Sequence, residues 1–311
     1  MGAIALGLIA LLLFVGSFLR LVTTHHGSSG YRGWATPWGH GADGNDSDFT
    51  SWFGVLFVVP ALLAAIAALL LLLGGGARPR IRAFASLATG SALGTAIAVL
   101  VRFGIAPHTR YNHDVEYSYG GAFWVCALIL PLAVLVFATA VSERTTGFTV
   151  ALDAYGRPQR ERATGLDVTS GVLLVLYALL AVGGSVVLVY RTVGVRFVMY
   201  DHYAEAALLT SSAVAAFVGG LLMFLAGRAS ARRIGAAVSA LVFSAGASVV
   251  LADVDMIRAL EGFLEGLNFS FYMFLVAILF ALIAMVLTVL AAGSAPRYRT
   301  PYPPTPAAIR R

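Results

Sequence analysis

Eight apolar stretches of about 20 residues each recur along the chain, and they constrain the fold more than any other feature. A helix needs about 20 apolar residues to cross the hydrocarbon core of a bilayer. In lipid each backbone N–H and C=O must be satisfied within its own segment, which favours helices. The stretches cover residues 3–22, 51–73, 83–103, 119–142, 167–190, 206–226, 234–252 and 269–292. The expectation is an all-α polytopic membrane protein of eight transmembrane helices. Only 12% of the residues are charged, about half the usual share for soluble domains.

Arginine placement sets the expected orientation, because basic residues accumulate in cytoplasmic connections. The connections after the second, fourth and sixth stretches, with Asp167 at the edge of the fifth and the C-terminal tail, hold 14 Arg and 4 acidic residues. The opposite face holds 7 Arg, 11 acidic residues and all six histidines. Both termini are therefore expected in the cytoplasm. Arg20, at the outer end of the first stretch, is the one local signal against this. All 21 basic residues are arginine, which points to a GC-rich, bacterial genome and hence to the plasma membrane. The basic balance reflects topology and attraction to anionic lipid heads, so the expected partners are the bilayer and other envelope membrane proteins, with no nucleic acid.

The two halves of the chain follow one plan. Each has an outer Arg on its first helix, then an outer loop, a basic turn before a small-residue helix, and an acidic outer loop. An offset of 151 residues aligns Arg82 with Arg233 and Arg102 with Asp253. The expected organisation is a four-helix repeat over 1–142, a linker over 143–166, a second repeat over 167–292 and a basic, Pro-rich tail over 293–311. Four helices return the chain to its starting side. The repeats are thus parallel, related by a pseudo-two-fold axis along the membrane normal. The first outer loop, around 23–50, is 20 residues longer than its counterpart. Its sequence, HHGSSGYRGWATPWGHGADGNDSDF, is a one-sided elaboration, and loops on rigid frames often carry function.

Helix contacts are legible from small residues. Ser86, Gly90 and Gly94 recur every four positions in the third stretch, as do Ala240, Ser244 and Ser248 in the seventh. Such spacing lets backbones approach closely, so these two helices are expected at packed interfaces, against each other near the axis. Pro60 and Pro131 are expected to mark kinks.

Charges deep in a bilayer are usually functional, and the sequence places none there. That argues against proton transport through a midplane carboxylate. Motifs for zincins, serine hydrolases, P-loop proteins and dinucleotide binders are missing. Cys126 has no disulfide partner. No cofactor is expected. The candidate working face is the outer polar cluster: Arg20, Arg102, His113, Asp114, Glu116, Arg191, Asp201, His202, Glu205 and Asp253. Within it, His113, Asp114 and His202 are the candidate metal ligands. Arg102 with Asp253 is the favoured ion pair. Outer aromatics, Trp34, Trp38, Trp52 and Trp124 among them, fit an interfacial belt.

Two functions follow. The first is non-enzymatic: a transport or permeation scaffold, or a subunit of a cell-envelope complex, working through its outer face. The second is an outer-leaflet enzyme, a lipid-linked transferase or metal-dependent hydrolase, using the His and carboxylate groups.

Overall fold

A computed structural model describes residues 2–26, 32–42, 45–74, 79–104, 115–142, 164–193, 199–225, 229–259 and 268–294. The described chain is mostly helical: α1 (Gly2–Gly16), α2 (Val55–Gly74), α3 (Pro79–Gly104), α4 (Gly121–Ser142), α5 (Gly165–Val193), α6 (Met199–Leu225), α7 (Ala229–Ala259) and α8 (Asn268–Ser294). Between α1 and α2 lie four strands, β1 (Val22–His26), β2 (Arg32–Thr36), β3 (Gly39–Ala42) and β4 (Asn45–Thr50). A fifth, β5 (Val115–Tyr119), precedes α4.

Seven of these helices, α2 to α8, are long and apolar enough to cross a membrane, as a multi-pass membrane protein requires. The helix α1 is shorter than the apolar stretch it comes from. It has 15 residues and so rises about 22 Å, short of the ~30 Å core. Its last turn tightens: Phe18 N–H donates to Val15 O at 3.1 Å and Leu19 N–H to Gly16 O at 3.2 Å. The Ser17 hydroxyl donates to Phe14 O at 2.6 Å. Beyond it the chain is drawn into the sheet. Leu21 N–H donates to Ala35 O at 2.8 Å, and Gly120 N–H to Leu21 O at 2.9 Å. The β-branched run Val22–Thr23–Thr24 suits a strand better than a helix.

The helices form two groups. In the first, α1 touches α2 and α4, while α3 touches α2 and α4. In the second, α5 touches α6 and α8, while α7 touches α6 and α8. One of the largest helix–helix contacts, α3 against α7, joins the groups. Among the described residues, every large exposed apolar side chain on a helix belongs to one of the other six helices. The reason lies in residue size. Where α3 and α7 pack on neighbours all round they carry Ala, Gly, Ser and Thr, whereas the outer helices present Leu, Val, Ile and Phe.

The core of the first group is built from Leu6, Ile9, Leu13, Phe57, Cys126 and Ile129 with a lining of alanines. That of the second centres on Leu174, Tyr177 and Val242. Pro60 lies inside α2 and Pro131 inside α4.

Candidate functional site

The long segment between α1 and α2 is largely strand. Its four strands and β5 form one antiparallel sheet in the order β4-β3-β2-β1-β5. The sheet thus ties the first interhelical segment to the one before α4. Neither edge of the sheet comes from the second group of helices. Thr36 fixes the β2–β3 turn: its hydroxyl donates to Gly39 O at 3.0 Å and accepts from Gly39 N–H at 3.1 Å.

Register assigns the two faces, since successive side chains on a strand point opposite ways. Val22 pairs with Ala35 and with Tyr119. Val22 is buried, and the Tyr119 ring stacks on Phe123 of α4 with centroids 4.3 Å apart. That face therefore turns to the helices. The opposite face carries Thr23, paired with Trp34 and Ser118, and His25, paired with Arg32 and Glu116. His25 lies mid-row between a guanidinium and a carboxylate position, and Arg32, Glu116 and Ser118 are exposed.

One aromatic contact seats the sheet on the bundle. The Trp38 ring at the β2–β3 turn lies so close over Gly54 that a Cβ there would collide with it. Gly54 follows Phe53, whose N–H donates to the Ser51 hydroxyl at 3.1 Å. Phe53 is buried and meets Phe103 edge-on, with centroids 5.8 Å apart. Arg102 lies over both rings, its guanidinium carbon 5.7 Å from the Phe53 centroid and 6.0 Å from that of Phe103.

Arg102 Nη1 is also 3.6 Å from Glu205 Oε1. This joins α3 of the first group to α6 of the second. The sequence favoured Asp253 as the partner of Arg102; the structure gives it Glu205. The side chain of Asp253 lies outside the described residues, as do those of Arg191, Asp201 and His202, whose backbones are in α7, α5, α6 and α6 respectively. His113 and Asp114 lie outside the described residues altogether. Arg20 is exposed, and its carbonyl accepts from Ala122 N–H at 2.9 Å. Among the described residues no three His, Cys, Asp or Glu side chains gather to hold a metal ion.

Four of the expected packing residues, Gly90, Gly94, Ala240 and Ser244, lie where α3 meets α7. A Cβ on Gly90 would strike the Ala237 backbone, and one on Gly94 would lie 2.5 Å from Leu241 O. A step of four residues along α3 moves the contact four residues along α7, so the helices run parallel. Ser91 and Ser244 share a hydrogen bond of 3.0 Å across the seam. Ala240 packs with Leu87 and Ala236. Ser86 and Ser248 return their hydroxyls to their own helices, at Arg82 O and Ala245 O.

Two further polar groups are buried, and sequence reasoning missed the first of them. At the start of α5, Thr164 and Asp167 form a reciprocal cap. Thr164 N–H donates to Asp167 Oδ2 at 2.8 Å, and Asp167 N–H to Thr164 Oγ1 at 3.3 Å. The T-x-x-D spacing was the available signal. Arg232 of α7 then grips the same carboxylate, Nε on Oδ1 and Nη2 on Oδ2, both at 2.9 Å. Both side chains are buried, although the two residues sit in connections that read as cytoplasmic charge. The second group is Tyr177, fully buried. Its hydroxyl donates to Val242 O at 3.1 Å and shares a 2.9 Å bond with Ser212, tying α5 to α6 and α7.

Comparison with known protein families, with curated proteins and with solved structures finds no match to this chain.

Proposed function

We propose that this protein is a non-enzymatic integral membrane scaffold, a subunit of a cell-envelope complex whose working surface is the outward face of the five-stranded sheet. The observation that carries this reading is the sheet itself. It is a folded, extramembrane platform built on one half of the bundle, with Thr23, His25, Arg32, Trp34, Glu116 and Ser118 on the face away from the helices. Trp and Arg are residue types enriched at protein interfaces, and the charges of Arg32 and Glu116 do not suit a lipid-facing surface.

The permeation variant of the scaffold reading is less favoured. A conduit between the halves would follow α3 and α7, and there Gly90 and Gly94 bring the backbones together. The enzyme reading would need convergent carboxylates or a metal-binding group, and the described outward face offers a single row, Arg32–His25–Glu116.

In this reading the chain is a plasma-membrane protein of bacterial type, with the sheet outside and the basic turns inside. Its halves are parallel repeats. The matching contact rings, α1–α4 and α5–α8, support the repeat, as does the parallel seam of α3 and α7.

The test has two parts. In a Cys126→Ala background, single cysteines at Glu116 and at Arg80 are treated with an impermeant maleimide on intact cells. Labelling at position 116 alone is expected; labelling at position 80 alone would reverse the working side. A photo-crosslinking residue at Ser118 should then give a discrete, saturable adduct with one envelope protein. Solute flux through the purified chain in liposomes, with no adduct from the sheet, would replace the scaffold with a permeation role.

A further inference from the structure

The outward face of the sheet carries a pattern of its own. On this face β3 presents only glycines, Gly41 opposite Trp34 and Gly39 opposite Thr36. Beyond that bare strip the side chains stand on three strands in the order β2-β1-β5, with β1 in the middle. Two rows cross them. One reads Arg32–His25–Glu116 and the other Trp34–Thr23–Ser118. Arg32, Glu116 and Ser118 are exposed, and Thr23, His25 and Trp34 are half-buried.

Each row complements its own reverse. The first has a cation at one end and an anion at the other. The second has a large aromatic ring at one end and a small hydroxyl at the other. Two copies laid face to face about a two-fold axis along β1 exchange β2 of one with β5 of the other. Arg32 of each copy then faces Glu116 of the second copy, and Trp34 faces its Ser118. Thr23 and His25 meet their own equivalents on the axis. This is the property of an isologous interface: where one residue faces another, the reciprocal contact is made as well.

The run of the strands allows such a pair within one bilayer. Every strand has one end at the bundle. β1 leaves α1 through the buried Leu21, and β5 returns to α4 through Gly120, whose N–H donates to Leu21 O at 2.9 Å. The β2–β3 turn meets Gly54 through Trp38, and β4 runs into Ser51, whose N–H donates to Trp38 O at 2.8 Å. The strands thus rise from the bundle, and an axis along β1 leaves both copies pointing the same way. Because the helices lie behind the opposite face, the two bundles fall on either side of the paired sheets.

We propose that the outward face is a homodimer interface, in which β2, β1 and β5 of two copies pack face to face about a two-fold axis along β1. The proposal rests on this face being the working surface and names a second copy of the chain as what meets it. Charge complementarity argues for that occupant. A copy shifted by one strand loses the match of Arg32 with Glu116, so the row also fixes the register.

The test uses the full chain with Cys126→Ala in cell membranes. Packed sheets lie about 10 Å apart, so a short bis-maleimide should join Thr23→Cys on the axis to its equivalent. The expected product is a covalent dimer of twice the chain mass. Leu72→Cys, exposed on α2 away from the sheet, should stay monomeric; an equal yield there would mean random collision and no interface. In the Thr23→Cys chain, Arg32→Glu alone and Glu116→Arg alone should each lose the dimer, because like charges then face each other twice. Co-expressing these two single variants under different tags should restore it as a mixed dimer, since each altered position then faces the opposite charge. A dimer that survives both single variants would overturn the pairing, as would the lack of a mixed dimer. No dimer from Thr23→Cys itself would rule out a second copy on this face. A Ser118 photo-adduct of another mass would then keep the scaffold reading with a different partner, and no adduct at all would end both.

Discussion

Thr95 donates its hydroxyl to the carbonyl of Leu56 at 2.9 Å. That carbonyl lies four residues before Pro60, which has no N–H to offer it. The proline in α2 thus leaves an acceptor that its own helix cannot satisfy, and α3 supplies the donor. In hydrocarbon no water can take its place, so the two residues act as a matched pair between adjacent helices.

Thr95→Val should therefore cost about 1–2 kcal/mol, the usual penalty for stranding a buried acceptor. Thr95→Ser, which keeps the hydroxyl, should remain close to the parent. Pro60→Ala restores an N–H in α2 and should remove most of the penalty of Thr95→Val. Reversible unfolding of the four proteins in mixed micelles measures the coupling directly. Equal penalties for Thr95→Val with and without Pro60 would sever the connection.

Gly90→Val should destabilise by about 3 kcal/mol, the upper end of the overpacking range, because the added atoms meet the Ala237 backbone, which cannot rotate away. Gly7→Ala in α1 is the control, since nothing lies within 4 Å of a Cβ there. Its effect should stay within about 1 kcal/mol, the scale of helix propensity alone. Thermal melting in detergent separates the two. A Gly90→Val protein that melts with the parent would mean that the α3–α7 backbones do not touch in the membrane.

Asp167→Asn and Arg232→Met should each cost about 3–5 kcal/mol, since either leaves a partner buried without its counter-charge. The double variant Asp167→Asn with Arg232→Met leaves no net charge there and should be milder than the sum of the two. Chemical denaturation of all three gives the interaction energy. Strictly additive effects would show that the two groups do not act on each other. The same variants should free the start of α5, because Asp167 also receives the Thr164 N–H. Faster amide exchange confined to the first turn of α5 is the expected signature.

Much of the membrane architecture is legible in the sequence because it follows from hydrophobicity alone. Seven of the eight apolar runs become helices capable of crossing a bilayer. The small-residue ladders of α3 and α7 lie at their mutual contact, since only residues without bulk fit between two helices enclosed on every side. The short α1 was harder to read. Its apolar run continues through Leu21 and Val22, and only the partner strands β2 and β5 decide that these residues extend rather than coil. The sheet escaped for the same reason. Its Gly-rich strands have little alternation, and β5 starts 65 positions after Thr50 with two helices between.

The choice of partners for charged groups was likewise beyond reach of spacing. Arg232 stands next to Arg233, and nothing local marks which of them will grip Asp167, 65 positions earlier. Arg102 shows the same limit, meeting Glu205 through the way α6 lies on α3.

Sequence alone determined that this chain belongs in lipid and which segments can cross it, because burial of apolar surface depends on composition over about 20 residues and not on neighbours. Tertiary structure decided where α1 stops, that the α1–α2 connection joins a sheet, and which acids Arg102 and Arg232 meet. Strand pairing and ion pairing join groups far apart in the chain, and only the packed helices bring those groups together.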